Sequence, residues 1–178
     1  SIVEKLAYGK MSFNDLGAAL NYKKSGVLSS YLEDLIETGY VARDYTWHFK
    51  TGKLSNLSYY RLCDNYLRFY LRYIFPNKAR IEKGRMLSVP AWSTIMGLQF
   101  ENLVINNFRL LDDLLGIRSE EIVYDNPFFQ TATKTQLSCQ IDYLVQTRFN
   151  VLYICEIKFL TDAVGIEVIQ EVKEKISR

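Results

Sequence analysis

The chain has 178 residues, of which 48% are hydrophobic and 24% are charged, so it can bury a sizeable core in one or two small domains. No apolar run approaches the roughly 18 residues that cross a bilayer, and the first residues do not resemble a signal peptide, so we expect a cytoplasmic protein without a membrane partner. The net charge is only +2, so affinity for a polyanion would have to come from local clusters of basic residues.

The first half of the chain predicts three helices. Ser12 and Asp15 resemble a capping box with Asp in place of Glu, and they predict a second helix that continues through Leu20. A third helix is predicted for residues 25–38 and is ended by Gly39. Before these, an apolar stripe predicts a first helix that is already under way at residue 1: Ile2, Val3, Leu6 and Ala7.

A hairpin follows the third helix. Residues 40–47 and 58–62 are predicted strands, and residues 50–53 are a turn between them. Three helices followed by such a hairpin indicate a winged helix-turn-helix domain over residues 1–62.

The charge of the third helix bears on whether this domain reads DNA. Attraction to phosphate dominates affinity for a duplex, yet Glu33, Asp34 and Glu37 lie on this helix. A role as a scaffold or between domains therefore competes with base reading. The side chains that suit a duplex lie at the start of the helix and in the wing: Lys23, Lys24, Ser25, Ser29, Ser30 and Arg43.

Residues 61–85 are basic and aromatic, with seven basic side chains against two acidic ones. Basic groups among flat rings, such as Arg68 and Arg72, would grip phosphates and stack bases. The alternative is an amphipathic helix over residues 64–75 that packs its rings inward and shows both arginines to solvent. We assign residues 63–95 to a helical connector, because Pro76, Gly84 and Pro90 break the chain there.

The second half, residues 96–178, predicts a helix, three strands and a closing helix. The strands are placed at residues 122–124, around Asp142 and around Glu156, and the closing helix at residues 166–176. The first helix opens with Gly97 to Glu101, and its core side is expected to carry five apolar residues: Leu103, Val104, Phe108, Leu110 and Leu111.

Asp142 and the segment Glu156-Ile157-Lys158 form the layout of a metal-dependent nuclease site. Period-two geometry places Glu156 and Lys158 on one face of a strand, which otherwise consists of the apolar run at residues 151–155. Mg²⁺ takes one or two carboxylates and leaves its other positions to water and substrate phosphate, so few protein ligands are needed. The alternative is an ordinary ion pair at a sheet edge, since Glu-x-Lys recurs in the helical pattern at Glu171.

The two carboxylates share a face only if position 142 pairs across from position 156. A three-residue loop at residues 148–150 gives this register, and Asn150 tolerates the left-handed conformation that the loop requires. We predict this arrangement.

The cysteines and the histidine exclude other kinds of site. Cys63, Cys139 and Cys155 are odd in number and the last two fall within predicted strands, which argues against a disulfide framework and against a zinc knuckle. His48 is the only histidine, which argues against histidine-rich zinc chemistry and, unless His48 itself takes part, against a Ser-His-Asp triad.

The helix from Gly97 to Glu101, the strand with Asp142, and Glu156 to Lys158 resemble the PD-(D/E)xK restriction-endonuclease-like fold. Residues 60–70, behind a winged helix and ahead of that core, resemble the C-terminal half of the archaeal-type AAA+ ATPase family, and the resemblance covers nearly the whole chain. In that family a P-loop ATPase comes first, and the nuclease-like domain has no settled role. The sequence has no P-loop motif, so the resemblance implies a C-terminal fragment, with ATP bound only by the ATPase domain outside it.

The resemblance also implies a fold and a set of roles. The fold is a mixed α and β protein, a winged helix-turn-helix followed by an αβββα core whose final strand is missing from this fragment. Asp142 and Glu156 would bind Mg²⁺ or Mn²⁺, Glu101 would be an auxiliary ligand, and Lys158 would orient water or stabilise charge on the phosphate. Gln170 lies roughly where some relatives keep a Gln, but the Tyr that follows it in them is absent.

Three functional hypotheses follow. The first is a Mg²⁺-dependent phosphodiesterase that acts on DNA, with cleavage driven or licensed by the ATPase. The second is a catalytically inactive nuclease-like domain that binds DNA or a partner protein and regulates the ATPase. The third is a transcription-factor-like winged helix with a dimerisation domain. Oligomeric state is left open.

Overall fold

The computed structural model describes residues 1–22, 26–86, 89, 92–134, 137–160 and 162–177. It is a mixed α and β protein with two antiparallel sheets, one of two strands and one of three. The chain divides into two compact units. Unit 1 contains Ser1–Asp44 and Leu57–Leu98, and unit 2 contains Tyr45–Asn56 and Gln99–Arg178.

Unit 1 begins with the three predicted helices, α1 (Ile2–Leu6), α2 (Phe13–Ala19) and α3 (Gly26–Glu37). Ser1 is the N-cap of α1, so the prediction of a helix already under way at residue 1 is wrong. The predicted cap of α2 is confirmed, because the Ser12 hydroxyl accepts the Asp15 amide at 3.2 Å. The helices bury a leucine-rich core: Leu6, Leu16, Leu28 and Leu32.

The predicted hairpin is formed by β1 (Val41–Trp47) and β2 (Leu54–Leu62). Met11 adds an antiparallel bridge to β2, because its amide donates to the Tyr60 carbonyl at 3.1 Å and its carbonyl accepts the Tyr60 amide at 2.8 Å. The hairpin tip belongs to unit 2. The same strands therefore supply parts of two cores.

The segment after the hairpin is helical, as predicted, but its buried and exposed side chains differ from the prediction. It contains α4 (Asn65–Phe69), a π-helical turn (Tyr70–Ile74), a 3₁₀ turn (Phe75–Asn77) and α5 (Lys78–Glu82). The prediction that Arg68 faces solvent is wrong, because it is 4% exposed and donates to the Leu62 carbonyl at 2.7 Å and the Leu98 carbonyl at 3.1 Å. The prediction that the rings pack inward is wrong for Tyr66, which is 70% exposed.

The predicted order of helix, strands and helix is confirmed for the rest of the chain, except that the first helix is divided. The elements are α6 (Trp92–Asn106), α7 (Phe108–Leu115), β3 (Ile122–Gln130), β4 (Cys139–Thr147), β5 (Leu152–Cys155) and α8 (Glu167–Ile176). Asn107 separates α6 from α7 and is the N-cap of α7. Leu103 and Leu110 are exposed, so their assignment to the core is wrong.

The three-stranded sheet of unit 2 has the order β3-β4-β5, and its central strand β4 is packed on both faces. On one face, Tyr143 and Val145 pack with Ile117 and with residues of α7. On the other face, Leu144 packs with Trp47 of the hairpin tip. The Trp47 indole N–H also donates to the Gln146 side-chain oxygen. The central strand β4 is thus the common wall of two cores.

Asp142 lies at a β-bulge. The register between β3 and β4 shifts between the pairs Asn126↔Leu144 and Phe128↔Ile141, so β4 carries one extra residue there. A bulge re-aims side chains and is over-represented next to functional sites. Here it turns Ile141 to the face of Trp47, whereas Tyr143 faces α7.

The predicted hairpin loop between β4 and β5 is confirmed. Tyr143 pairs with Cys155, and the register continues until the Thr147 amide donates to the Val151 carbonyl at 3.0 Å. Three residues remain for the loop, and Asn150 has φ +57°. The same register, extended beyond Cys155, sets position 142 opposite position 156.

Replacing Asn150 tests this loop. Asn150→Val should lower the free energy of unfolding of unit 2 by about 1–2 kcal/mol, because a branched side chain at positive φ is strained. Asn150→Gly is the matched control and should cost little or nothing. Denaturant unfolding followed by Trp47 fluorescence in a Trp92→Phe background measures both. Equal losses in the two variants would contradict the assigned loop.

Candidate functional site

Asp142 is held at the end of the β4–β5 hairpin. It is 8% exposed, and its Oδ2 accepts the Ile157 amide at 2.9 Å. This hydrogen bond reaches past the last residue of β5 and keeps Glu156 beside β4 after regular strand pairing has ended. A backbone contact therefore fixes the spacing of the two carboxylates.

Glu156 is the centre of a group of charges. Its side chain is 5% exposed, with Oε1 accepting the Lys158 ammonium at 2.8 Å and Oε2 accepting the Lys175 ammonium at 2.6 Å. Glu171 contacts the same two ammonium groups, at 3.5 Å and 3.3 Å. We call these five side chains the carboxylate–lysine cluster: Asp142, Glu156, Lys158, Glu171 and Lys175.

The structure thus brings together Asp142, Glu156 and Lys158, as the sequence predicts. Glu101 lies half-buried on α6. Among the described residues no group of three or more His, Cys, Asp and Glu side chains is arranged to hold a metal ion. The role of Glu101 as an auxiliary ligand stays a prediction. Gln170 is exposed on α8.

Sequence reasoning missed Glu171 and Lys175. The two residues are four apart on α8, a spacing that places them on one face of the helix. Such a pair is usually solvent-exposed, so the spacing carries no sign that it turns toward a sheet. Val172 is half-buried on the same helix, so α8 has an inner side in the structure.

The charges of the cluster shift its pKa values in opposite directions. Burial raises the pKa of Asp142, and the Glu156 carboxylate adds to the rise against the lowering effect of the Ile157 amide. Burial alone would raise the pKa of Glu156, but hydrogen bonds from Lys158 and Lys175 outweigh it and hold that pKa below its ordinary value. The hydrogen bond to Glu156 raises the pKa of Lys158. Glu156 is therefore ionised at neutral pH, and Lys158 is protonated.

The donor set of the cluster suits a hard cation, because it offers carboxylate oxygens and no sulfur or imidazole. The Lys175 ammonium already serves as a cation there, held between Glu156 and Glu171. Asp142 and Glu156 fit Mg²⁺ or Mn²⁺ by chemical type. The fit requires the Lys175 ammonium to leave Glu156.

The residues that were predicted to contact nucleic acid differ in their burial and in their contacts. Lys23, Lys24 and Ser25 lie outside the described residues. Arg43 is exposed, and its Nε donates to the Ser58 hydroxyl at 3.1 Å. Arg72 is half-buried, with its guanidinium carbon 5.1 Å from the centre of the Tyr8 ring. Arg68, as described above, is buried and serves the fold.

Comparison with known proteins gives one partial likeness to report. The chain is 37% identical over 83 residues to an uncharacterized protein of Methanocaldococcus jannaschii. The matched part is 47% of this chain and 18% of that protein, so the likeness spans less than a fifth of the relative's length. No family model and no solved structure matches. Within the part of the chain that the structure describes, every helix is too short or too polar to cross a membrane.

The pKa of Glu156 predicts a pH dependence of stability. A carboxyl group whose pKa is lower in the folded than in the unfolded state stabilises the fold above its unfolded pKa, and this contribution is lost as pH falls through the folded pKa. Glu156→Gln should therefore be less stable than wild type at about pH 6, and the difference should narrow toward about pH 3. Denaturant unfolding of unit 2 at several pH values measures it.

Two variants check the assignment. Glu167→Gln removes an exposed carboxylate of α8, and its difference from wild type should change little over the same range. The stability of Asp142→Asn relative to wild type should rise with pH, whereas that of Glu156→Gln should fall. The reason is that the raised pKa of Asp142 makes its ionised form unfavourable in the folded state. A constant penalty for Glu156→Gln at every pH would contradict the ion-paired state of Glu156.

Proposed function

We propose that unit 2 is a restriction-endonuclease-like domain whose cluster hydrolyses phosphodiester bonds in DNA with Mg²⁺. Unit 1, with three helices and a hairpin, is proposed as its winged helix partner. The chain as a whole is proposed as the C-terminal part of an AAA+ ATPase whose nucleotide-binding domain lies outside it. The observation that carries the proposal is the pairing of Asp142 with Glu156 beside Lys158 at the end of a single hairpin.

The pairing is more than a surface ion pair. Exposed pairs contribute little to stability, typically under about 1 kcal/mol, and buried ones have to overcome a desolvation cost. Asp142 and Glu156 are both nearly buried, and they lie close enough for the charge of one to raise the pKa of the other. Two buried acids held side by side are costly to fold, which favours a role in binding a cation.

Each residue has a part in the proposed chemistry. The cation would supply charge to polarise the phosphate and to lower the pKa of an attacking water. Asp142 and Glu156 would hold it, with Asp142 oriented by the Ile157 amide. Lys158 is 32% exposed at its side chain and protonated, so it acts as a positive charge toward the phosphate and not as a general base.

Lys175 acts as an internal competitor in this proposal. Its ammonium lies 2.6 Å from Glu156 Oε2, an oxygen that the cation would need as a ligand. The withdrawal of Lys175 is therefore the step that opens the site. An ATPase domain that moves α8 would control this step, which gives a physical content to cleavage licensed by the ATPase.

The test is cleavage of supercoiled plasmid with increasing Mg²⁺. Wild type should nick the plasmid, and Glu156→Gln and Lys158→Met should each lose at least about a hundredfold in rate, as is usual when a charge-stabilising group of an active site is removed. Lys175→Met should reach half of its full rate at a lower Mg²⁺ concentration than wild type, because it removes the competing ammonium. Lys173→Met is the matched control, since Lys173 is exposed on the same helix.

Two outcomes would sink the proposal. One is nicking that persists in Glu156→Gln at the wild-type rate. The other is no nicking by wild type or Lys175→Met when each is expressed within the full-length protein, together with its ATPase domain.

A catalytically inactive nuclease-like module that binds DNA or a partner is the second candidate. It is favoured by one observation, that both oxygens of Glu156 are already bound to ammonium groups. For this candidate, fluorescence anisotropy with labelled duplex DNA in EDTA should give the same affinity for wild type and Glu156→Gln. Arg43→Ala should weaken it, because Arg43 is exposed on the hairpin.

A further inference from the structure

A second pair of acids lies on the opposite face of the three-stranded sheet. Asp112 of α7 and Asp125 of β3 line one cavity of about 390 Å³. This is the face on which Tyr143 packs against Ile117, whereas Lys175 of the carboxylate–lysine cluster contacts Cys139 on the other face. The two pairs of acids are therefore separated by the sheet.

Asp112 is the more unusual of the two. It is 4% exposed, and its Oδ1 has no hydrogen-bond partner among the described residues. It lies one turn after Phe108 and directly after Leu111, on the side of α7 that packs against the sheet. An apolar residue is expected at this position, and a buried carboxylate oxygen without a partner costs on the order of 1–3 kcal/mol.

Asp125 reaches the cavity from the sheet. Its Oδ2 accepts the Tyr143 hydroxyl at 3.1 Å, so its orientation is fixed. Burial raises the pKa of Asp112, and the nearby Asp125 carboxylate raises it further. Burial also raises the pKa of Asp125. Both acids are thus in surroundings that oppose their charge, and a cation between them would remove this penalty.

We infer that the Asp112–Asp125 cavity binds a hard divalent cation of the Mg²⁺, Mn²⁺ and Ca²⁺ class. The oxygen donors that line it come from the two carboxylates and from Ser119, which suits these ions and not thiophilic ones, and the Arg109 side chain also lines the cavity. The volume is ample, because a water takes roughly 30 Å³ and the cavity therefore holds an ion with several of its waters. This inference does not depend on the proposed nuclease activity.

The role of such an ion follows from the elements it joins. Asp112 belongs to α7 and Asp125 to β3, so one ion bound by both ties the helix to the sheet. Asp125 accepts a hydrogen bond from Tyr143 of β4, so the ion would also hold this strand at the residue next to Asp142. We assign it a structural part, as a clamp on the strand that positions the cluster.

Mn²⁺ binding by the whole 178-residue chain tests the inference. Electron paramagnetic resonance of free Mn²⁺ would be recorded with Glu156→Gln as the background, so that the carboxylate–lysine cluster contributes little. In this background the chain should bind about one Mn²⁺, and Asp112→Asn or Asp125→Asn should each weaken binding by at least about tenfold. Asp113→Asn is the matched control, because it removes an exposed carboxylate next to Asp112 and should leave binding unchanged.

A second measurement guards against misfolded variants. Without metal, Asp112→Asn should unfold at the same or a higher denaturant concentration than its parent, since it removes a buried charge. Added Mn²⁺ should stabilise the parent and not the variant. Mn²⁺ should also broaden the amide signals of Ile117 and Ser119 in nuclear magnetic resonance spectra of the parent.

The outcomes separate this inference from the proposed function. Binding that survives in Glu156→Gln but is lost in Asp112→Asn supports the second site, whether or not the chain cleaves DNA. Binding that disappears in Glu156→Gln alone, or that is unaffected by Asp112→Asn and Asp125→Asn together, overturns it.

Discussion

The hydrogen bond from the Ile157 amide to Asp142 is the contact on which the proposed site depends. Regular pairing of β5 with β4 ends at Cys155, so the chain would be free to leave the sheet one residue before Glu156. A side-chain carboxylate replaces the missing backbone acceptor and extends the pairing by one step. Asp142 can do this because the bulge in β4 re-aims its side chain. The loop at Asn150, the bulge and this bond together set the distance between the two acids.

Charge balance then decides the state of the cluster. If all five groups are ionised, three negative charges face two positive ones. The pKa of Asp142 is raised first by its burial and then by the Glu156 carboxylate. Lys175 carries most of the compensation at Glu156 Oε2, because its side chain is largely buried and its contact is the shortest. The helix α8 contributes no fully buried residue to unit 2, and its Lys175 is held to the sheet by the ion pair with Glu156. An element held by charge is easier to release than one held by a core, since water and ions can replace its partners.

Local rules predicted a large part of the fold. The cap at Ser12, the order of strands and helices and the three-residue loop all follow from interactions between residues near in sequence, which a single sequence displays. For the same reason, Lys158 was predicted as a partner of Glu156, because it is two residues away. Lys175 is nineteen residues away and was not predicted. Which side of α8 turns inward is decided by the sheet, and that information is not in the helix itself.

Burial of basic residues was the least predictable feature. The basic stretch suggested a phosphate-binding surface, yet Arg61 forms a buried ion pair with Asp44 at 3.0 Å and Arg68 binds two backbone carbonyls. A guanidinium has five donors and can satisfy carbonyls at the ends of elements, which makes its burial favourable where a lysine would fail. Composition gives the number of charged residues, but it does not show which of them are buried.

The discontinuous composition of unit 2 has a practical consequence for anyone dividing this protein. Trp47 belongs to the core of the three-stranded sheet although it precedes that sheet in sequence by more than seventy residues. A fragment that starts at Gln99 would expose the side of Phe128 that the indole covers, and would leave Gln146 without its donor. This fragment would therefore aggregate when expressed by itself, and a minimal version of unit 2 has to retain the hairpin.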